Sequence, residues 1–211
     1  IVDEDADLDE VFGRFTAPDQ APARAWLRAR GARFPADCVA DIVRWGDAAT
    51  LRVALADGAD VNAPARSAGE LPAEVAVAQP DPEMVAVLIE HGAQVSARFR
   101  LSNLIRDRNA DQLRIALDFG AVVRPSDIRE AVYAGDVPSL RAMGEHDSAL
   151  SARAWDPKRA GSGASLEVQA ALEALSAAKL EQAEAARRAR KAAAKAARRE
   201  RRLARAGRTE G

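Results

Sequence analysis

A short Gly-Ala phrase recurs along the chain, each time after a stretch with helical apolar spacing. The copies are ADGADV at 56–61, EHGAQV at 90–95, DFGAVV at 118–123 and a fainter ARGARF at 29–34. A glycine just beyond the last turn of a helix takes the left-handed conformation that ends the helix. Because self-similarity at a roughly constant spacing is typical of repeat proteins, the phrase predicts a series of similar helical units.

Two short apolar stretches precede each well-formed copy, and each has the three- and four-residue spacing of a helix. An additional copy without the same ending, AGDVPSLRAMGEH, occupies 134–146. A pair of such thin helices cannot bury its apolar side alone, so the units are expected to gain stability by stacking on their neighbours. The apolar positions ahead of Gly58 are Val39, Ile42, Val43, Leu51, Val53 and Leu55.

The composition agrees with thin helices. The chain is 48% hydrophobic, much of it alanine, and only 4% aromatic. Alanine is the best helix former and buries little area. Runs in which β-branched or aromatic residues alternate cleanly with polar ones are nearly absent. The sequence therefore predicts an all-α fold.

The units resemble the ankyrin repeat. The closest stretches are WGDAATLRVALADGADVNA at 45–63 and LPAEVAVAQPDPEMVAVLIEHGAQVSA at 71–97. Pro72 falls on the proline of the family's T-P-L-H motif, whereas Leu71 and Glu74 replace its threonine and histidine. Degenerate units at about 8–34, 37–63, 71–97, 99–123 and 126–150 extend the likeness over residues 8–150. The resemblance implies an ankyrin-like helical solenoid that recognises another protein.

The connection after Gly58, DVNAPARSAGE at 60–70, is the only one with the length that forms a β-hairpin finger in that family. The connections after the other glycines are about half as long, so those units are expected to be helix pairs without a finger. The resemblance implies a contact surface on the inner-helix face and on this one finger. The expected contact residues of the finger are Asp60, Asn62, Arg66, Ser67 and Glu70.

The two ends of the chain differ from the repeats. An acidic segment occupies 1–7, and an N-terminal cap is expected from Leu8, Val11, Phe12, Phe15, Trp26 and Leu27. A Gly/Ser/Pro-rich stretch at 151–165 predicts a linker, and residues 207–211 form a short tail.

Between that linker and the tail, residues 166–206 are rich in alanine and charge and predict one long helix. Six cations of its second half recur every three or four residues and share one face. Three interpretations stay open for this face: a solvated helix without a partner, a strip that follows nucleic-acid phosphates, or an anchor for an acidic protein surface. The six cations are Arg187, Lys191, Lys195, Arg198, Arg202 and Arg205.

Motifs typical of catalysis, nucleotide binding or metal binding are missing from the sequence. It contains no nucleotide-binding loop, no paired acid/base motif and no metal-ligand spacing, so we expect neither an enzyme nor a bound cofactor or metal. Cys38 is interpreted as core filler, His91 as a complement to the end of a helix dipole, and His146 as a surface turn residue. No apolar run reaches the roughly 18 residues that cross a bilayer, and we expect a cytoplasmic protein without membrane association.

The leading functional hypothesis is a non-catalytic adaptor, in which the repeats bind a protein and the basic helix is a second anchor. One alternative is a nucleic-acid-associated, ribonucleoprotein component held by the basic helix. Another is a structural subunit of a large assembly. The sequence leaves the partner and the oligomeric state open.

Overall fold

The computed structural model describes residues 16–65, 69–146, 150, 152–159 and 164–206, without the side chains of residues 18, 159 and 198–206. Within these ranges the chain forms ten α-helices and no β-strand. The all-α prediction is confirmed. The helices are α1 (Ala21–Arg28), α2 (Val39–Trp45), α3 (Ala48–Ala56), α4 (Pro72–Ala78), α5 (Pro82–Glu90), α6 (Ser102–Arg106), α7 (Ala110–Asp118), α8 (Pro125–Ala134), α9 (Val137–His146) and α10 (Leu166–Ala206).

The chain divides into two compact units, residues 1–147 and 148–211. In the first unit, α2 to α9 form four consecutive helix pairs. The first helices pack side by side, α2 on α4 and α6 on α8, while the second helices pack as α3 on α5 and α7 on α9. Contacts of α4 with α7 join the second pair to the third. The expected stacking of helix pairs is therefore present in this unit.

Four second-helix leucines show how the stacked pairs share one core. Leu51, Leu88, Leu113 and Leu140 come from α3, α5, α7 and α9, and each is fully buried. Burying a leucine side chain contributes about 1.5–3 kcal/mol, so this row is a main source of the unit's stability. Cys38 is also buried, in agreement with its interpretation as core filler.

The Gly-Ala phrases end helices as predicted. Gly31, Gly58, Gly92 and Gly120 all have φ between +74° and +96°. In each of these four phrases, the backbone N–H groups of the glycine and of the next residue donate to carbonyl oxygens in the last turn of the helix. For example, the Gly58 N–H donates to the Leu55 oxygen at 3.1 Å and the Ala59 N–H to the Ala54 oxygen at 3.0 Å. These two hydrogen bonds satisfy backbone carbonyls that the end of a helix would otherwise leave without partners.

The second helices share a second device, an Asp or Asn at the N-cap. The side-chain oxygens of Asp47, Asp81, Asn109 and Asp136 each accept the backbone N–H three residues ahead, over 2.7 to 3.2 Å. Such a cap satisfies a free N–H at the start of the helix. This set of caps repeats with the helix pairs.

The long connection at 60–70 shows no β-strand in its described residues. It is closed by backbone bonds, from the Ala65 N–H to the Glu70 oxygen at 2.8 Å and from the Gly69 N–H to the Ala65 oxygen at 2.9 Å. The β-hairpin expected here is therefore not confirmed, and the segment is a loop. Residues 66–68 lie outside the described residues.

At the N-terminal end, Leu8, Val11, Phe12 and Phe15 lie outside the described residues, as do the segment 1–7 and the tail 207–211. Of the two remaining cap residues, Leu27 is buried in the core as expected, whereas Trp26 does not enter the core. Its side chain is 47% exposed, and the Arg30 guanidinium lies 3.5 Å from the centre of its ring. The aromatic ring gains a cation–π contact there instead of core burial.

The second unit contains α10 and two 3-10 turns, Ala152–Trp155 and Pro157–Arg159, which fall in the stretch predicted as a linker. Helix α10 packs against the first of these turns. Trp155 is fully buried, and the Ser176 hydroxyl donates to the Ala152 oxygen at 3.5 Å. The helix has the bounds expected from composition, but the stretch before it is partly structured.

Candidate functional site

The loop residues that the sequence selects for partner contact are engaged within the chain. Asn62 donates from Nδ2 to the Gly92 oxygen at 3.2 Å, and its Oδ1 accepts the Gln94 N–H at 2.8 Å. The Asp60 carboxylate accepts the Asn62 N–H at 2.9 Å. Asn62 thereby ties one helix-ending turn to the next.

Glu70 also has an internal partner, because its carboxylate pairs with the Arg44 guanidinium at the end of α2. Its side chain is still 51% exposed, so the pair lies at the surface. Arg66 and Ser67 lie outside the described residues. The three described residues of the predicted finger therefore organise the stack, and partner contact by them stays a prediction.

A more suitable contact surface lies at the ends of the first helices. Trp45 is the last residue of α2 and is 64% exposed; Tyr133, in the last turn of α8, is 89% exposed. Gln79 after α4 and Arg106 at the end of α6 are exposed at corresponding places. We name Trp45, Gln79, Arg106 and Tyr133 the first-helix edge.

The turn that follows Trp45 holds this aromatic in place. A Cβ on Gly46 would lie 2.8 Å from the backbone oxygens of both Ile42 and Thr16, so the chain passes there too closely for a side chain. The backbone N–H of Thr50 donates to Asp47 and holds the pKa of that carboxyl below its usual value, against the opposing effect of burial. An ionised carboxylate is the better acceptor for this capping hydrogen bond.

The last pair presents Tyr133 in a similar setting. Gly135 ends α8 with φ +65°, and Asp136 caps α9 directly after it. Arg108 reaches from the preceding pair and donates to the Ala134 oxygen at 2.6 Å. Arg106 of the first-helix edge pairs with Glu130 of α8 at 3.3 Å. The edge thus combines two exposed aromatics with polar side chains on ordered helix ends.

The contact residues predicted from the sequence include neither Trp45 nor Tyr133. The available signal was position: both aromatics stand two or three residues before the Asp that caps the next helix. These positions do not belong to the apolar spacing of the first helix, so a large side chain there does not point into the core.

The predicted basic strip is exposed as far as its side chains are described. Arg187, Lys191 and Lys195 are all exposed on α10. The backbone at Arg198, Arg202 and Arg205 continues the same helix. An ion pair between Glu184 and Arg188 at 3.4 Å lies on the same stretch, with both side chains mostly exposed.

The histidines lie at helix ends. His91 follows α5, and its Nδ1 lies 2.8 Å from the Val87 oxygen, as expected for a residue that complements a helix end. His146 is the last residue of α9 rather than a turn residue, and its Nε2 is 3.5 Å from an Asp118 oxygen. Among the described residues, no group of three His, Cys, Asp or Glu side chains is arranged to hold a metal ion. None of the described helices has the length and apolarity needed to cross a membrane.

Comparison of the chain with protein-family models, with curated proteins and with solved structures found no match to any of them.

Proposed function

We propose that the protein is a non-catalytic, cytoplasmic adaptor, an ankyrin-like solenoid that recognises a protein partner through its first-helix edge. The observation that carries the proposal is the exposure of Trp45 and Tyr133 on ordered helix ends. Tyr and Trp are enriched among the residues that contribute most to protein–protein binding, because each buries a large rigid area.

The regularity of the helix pairs supports the ankyrin-like part of the proposal. Four pairs repeat the same N-cap, and the second helices of the first three end at Gly58, Gly92 and Gly120 in the same glycine turn. The stack leaves corresponding positions of successive first helices open to solvent. In repeat proteins, such a row forms one extended binding surface.

The experiment is an affinity capture with the full chain from nuclease-treated lysate, followed by binding measurements with the protein that is retained. We expect Trp45→Ala and Tyr133→Ala each to weaken binding by about tenfold or more, because truncating an aromatic anchor costs about 2 kcal/mol or more. The matched control is Ile89→Ala, which truncates an apolar side chain that is 42% exposed on a second helix. Its affinity should equal that of the wild type.

Three outcomes contradict the proposal in different ways. Retention of no protein after nuclease treatment contradicts the adaptor function itself. Equal affinities for the wild type and the Trp45→Ala/Tyr133→Ala double variant would show that the binding surface lies outside the first-helix edge. Loss of binding in Ile89→Ala alone would show that the partner binds the second helices.

A further inference from the structure

The cations of the second half of α10 all fall within one half of the helix. Successive residues of an α-helix are rotated by about 100°, since one turn takes 3.6 residues. With Arg187 at zero, this rotation places Arg190 at about −60°, Lys191 at about 40°, Lys195 at about 80° and Arg188 at about 100°. The other half carries alanines such as Ala189, Ala193 and Ala196.

The same register continues to the end of the helix at Ala206. Five further cations, Arg198, Arg199, Arg201, Arg202 and Arg205, fall at helix positions in the same half, whereas Glu200 falls in the other half. Eight of the ten cations are arginines. We name these ten residues the cationic face.

The described side chains in this part of α10 are not buried. Every residue from 181 to 197 is exposed, in contrast to Val168 and Leu172, which are buried near the start of the helix. Cations four residues apart, such as Arg187, Lys191 and Lys195, repel one another along the helix. A polyanion laid along the face would remove that repulsion.

We propose that the cationic face binds the phosphate backbone of double-stranded DNA. Ten cations over 19 residues give one charge per about 2.9 Å of helix, at about 1.5 Å per residue, against one phosphate per about 1.7 Å of duplex axis. An α-helix enters the major groove of B-form DNA, about 12 Å wide, whereas the major groove of duplex RNA is too narrow to read. Arg190 on one flank and Arg188 on the other face opposite walls of such a groove.

The composition of the face argues against an acidic protein as the occupant. The centre of a protein–protein interface is depleted in charged residues and enriched in aromatic residues and methionine. The half of the helix that carries the cationic face contains no aromatic residue or methionine over residues 187–206, and Ala194 is one of the few uncharged residues in that half. The eight arginines of the cationic face can each contact a phosphate through two hydrogen bonds.

The test measures binding of the full chain to a fluorescein-labelled 20-base-pair DNA duplex between 50 and 200 mM KCl. Each phosphate contact contributes about −0.9 to the slope of log K against log salt concentration. We expect the triple variant Arg187→Gln/Lys191→Gln/Lys195→Gln to have a slope less steep by about 2.7. Its affinity at 100 mM KCl should be lower by more than tenfold.

The matched control, Ala189→Gln/Ala193→Gln/Ala196→Gln, introduces three glutamines on the opposite half of the same stretch. It should keep the wild-type slope and affinity, and circular dichroism should show equal helix content in both variants. A triple cation variant that keeps the wild-type slope overturns the proposal. Tighter binding to poly-L-glutamate at equal charge concentration, or to a 20-base-pair RNA duplex, overturns it in favour of an acidic polypeptide or of RNA.

Discussion

Single backbone conformations define where the helices of this protein end. At Gly58, φ is +96° and no atom lies within 4 Å of the place where a Cβ would be, so a side chain there meets strain but no collision. At Gly46 the reverse holds, because the backbone oxygens of Ile42 and Thr16 occupy that space. Arg108, with φ +55°, takes the left-handed conformation at the end of α6. Its side chain is held by the Ala134 oxygen.

We expect Gly58→Ala to lower the free energy of unfolding by about 1–2 kcal/mol, the cost of a left-handed conformation for a residue with a Cβ. Gly58→Asn should cost less, because asparagine adopts that conformation more readily. Urea unfolding followed by circular dichroism measures both. Equal stability of Gly58→Ala and the wild type would show that this turn can re-form with another conformation.

At the scale of secondary-structure elements, side chains in the connections join one helix pair to the next. Asn62 connects the turn after α3 to the turn after α5 through Gly92 and Gln94. Arg124 does the same further along, donating to the Phe99 oxygen at 3.2 Å and to the Ala97 oxygen at 3.1 Å. Long-range ion pairs add to these links, as with Arg28 and Asp57 at 2.8 Å. Hydrogen bonds and ion pairs from the connections thus stabilise the stack together with the leucines buried in its core.

We expect Asn62→Ala to lower the free energy of unfolding by about 1–2 kcal/mol, since it removes two hydrogen bonds worth about 0.5–1.5 kcal/mol each. Asn103→Ala is the control, because Asn103 is an exposed asparagine on α6 whose side chain has no hydrogen bond to another described residue. The control should leave stability unchanged or slightly raised, alanine being the better helix former. Thermal and urea unfolding compare the two variants; a loss in Asn103→Ala as large as that in Asn62→Ala would refute the linking role.

For the stacked helix pairs as a whole, stability depends on neighbours, because each pair buries its apolar side against the next. Leu88 belongs to an inner pair and Leu140 to the last described pair, and both are fully buried. The same substitution at the two positions therefore removes the same side chain from different places in the stack.

We expect Leu88→Ala and Leu140→Ala each to cost about 2–5 kcal/mol. Hydrogen exchange followed by mass spectrometry should then show that the two variants lose protection in different helix pairs. Leu88→Ala should lower protection in the pairs on both sides, α2–α3 and α6–α7, whereas Leu140→Ala should affect mainly α8–α9. Equal, uniform loss of protection in both variants would mean that the stack unfolds as one cooperative block.

Local chemistry allowed much of the element pattern to be predicted from the sequence. The left-handed turns at Gly58 and Gly92, the N-cap at Asp81 and the burial of Cys38 follow from residue type and from neighbours a few positions away. These interactions are completed within one or two turns of chain, so no distant contact is needed to infer them. The helix over 166–206 follows in the same way from the propensity of alanine.

Only the tertiary structure decided which side chains are buried and which distant residues they contact. Asn62 has its partners about thirty residues away in the next turn, and Glu70 pairs with Arg44 of the preceding helix pair. Trp45 and Tyr133 are exposed because no helix of the described residues covers the ends of α2 and α8, whereas Trp155 is fully buried in a stretch whose composition predicts a linker. Burial and long-range partners depend on which elements stack together, and local spacing does not contain that information.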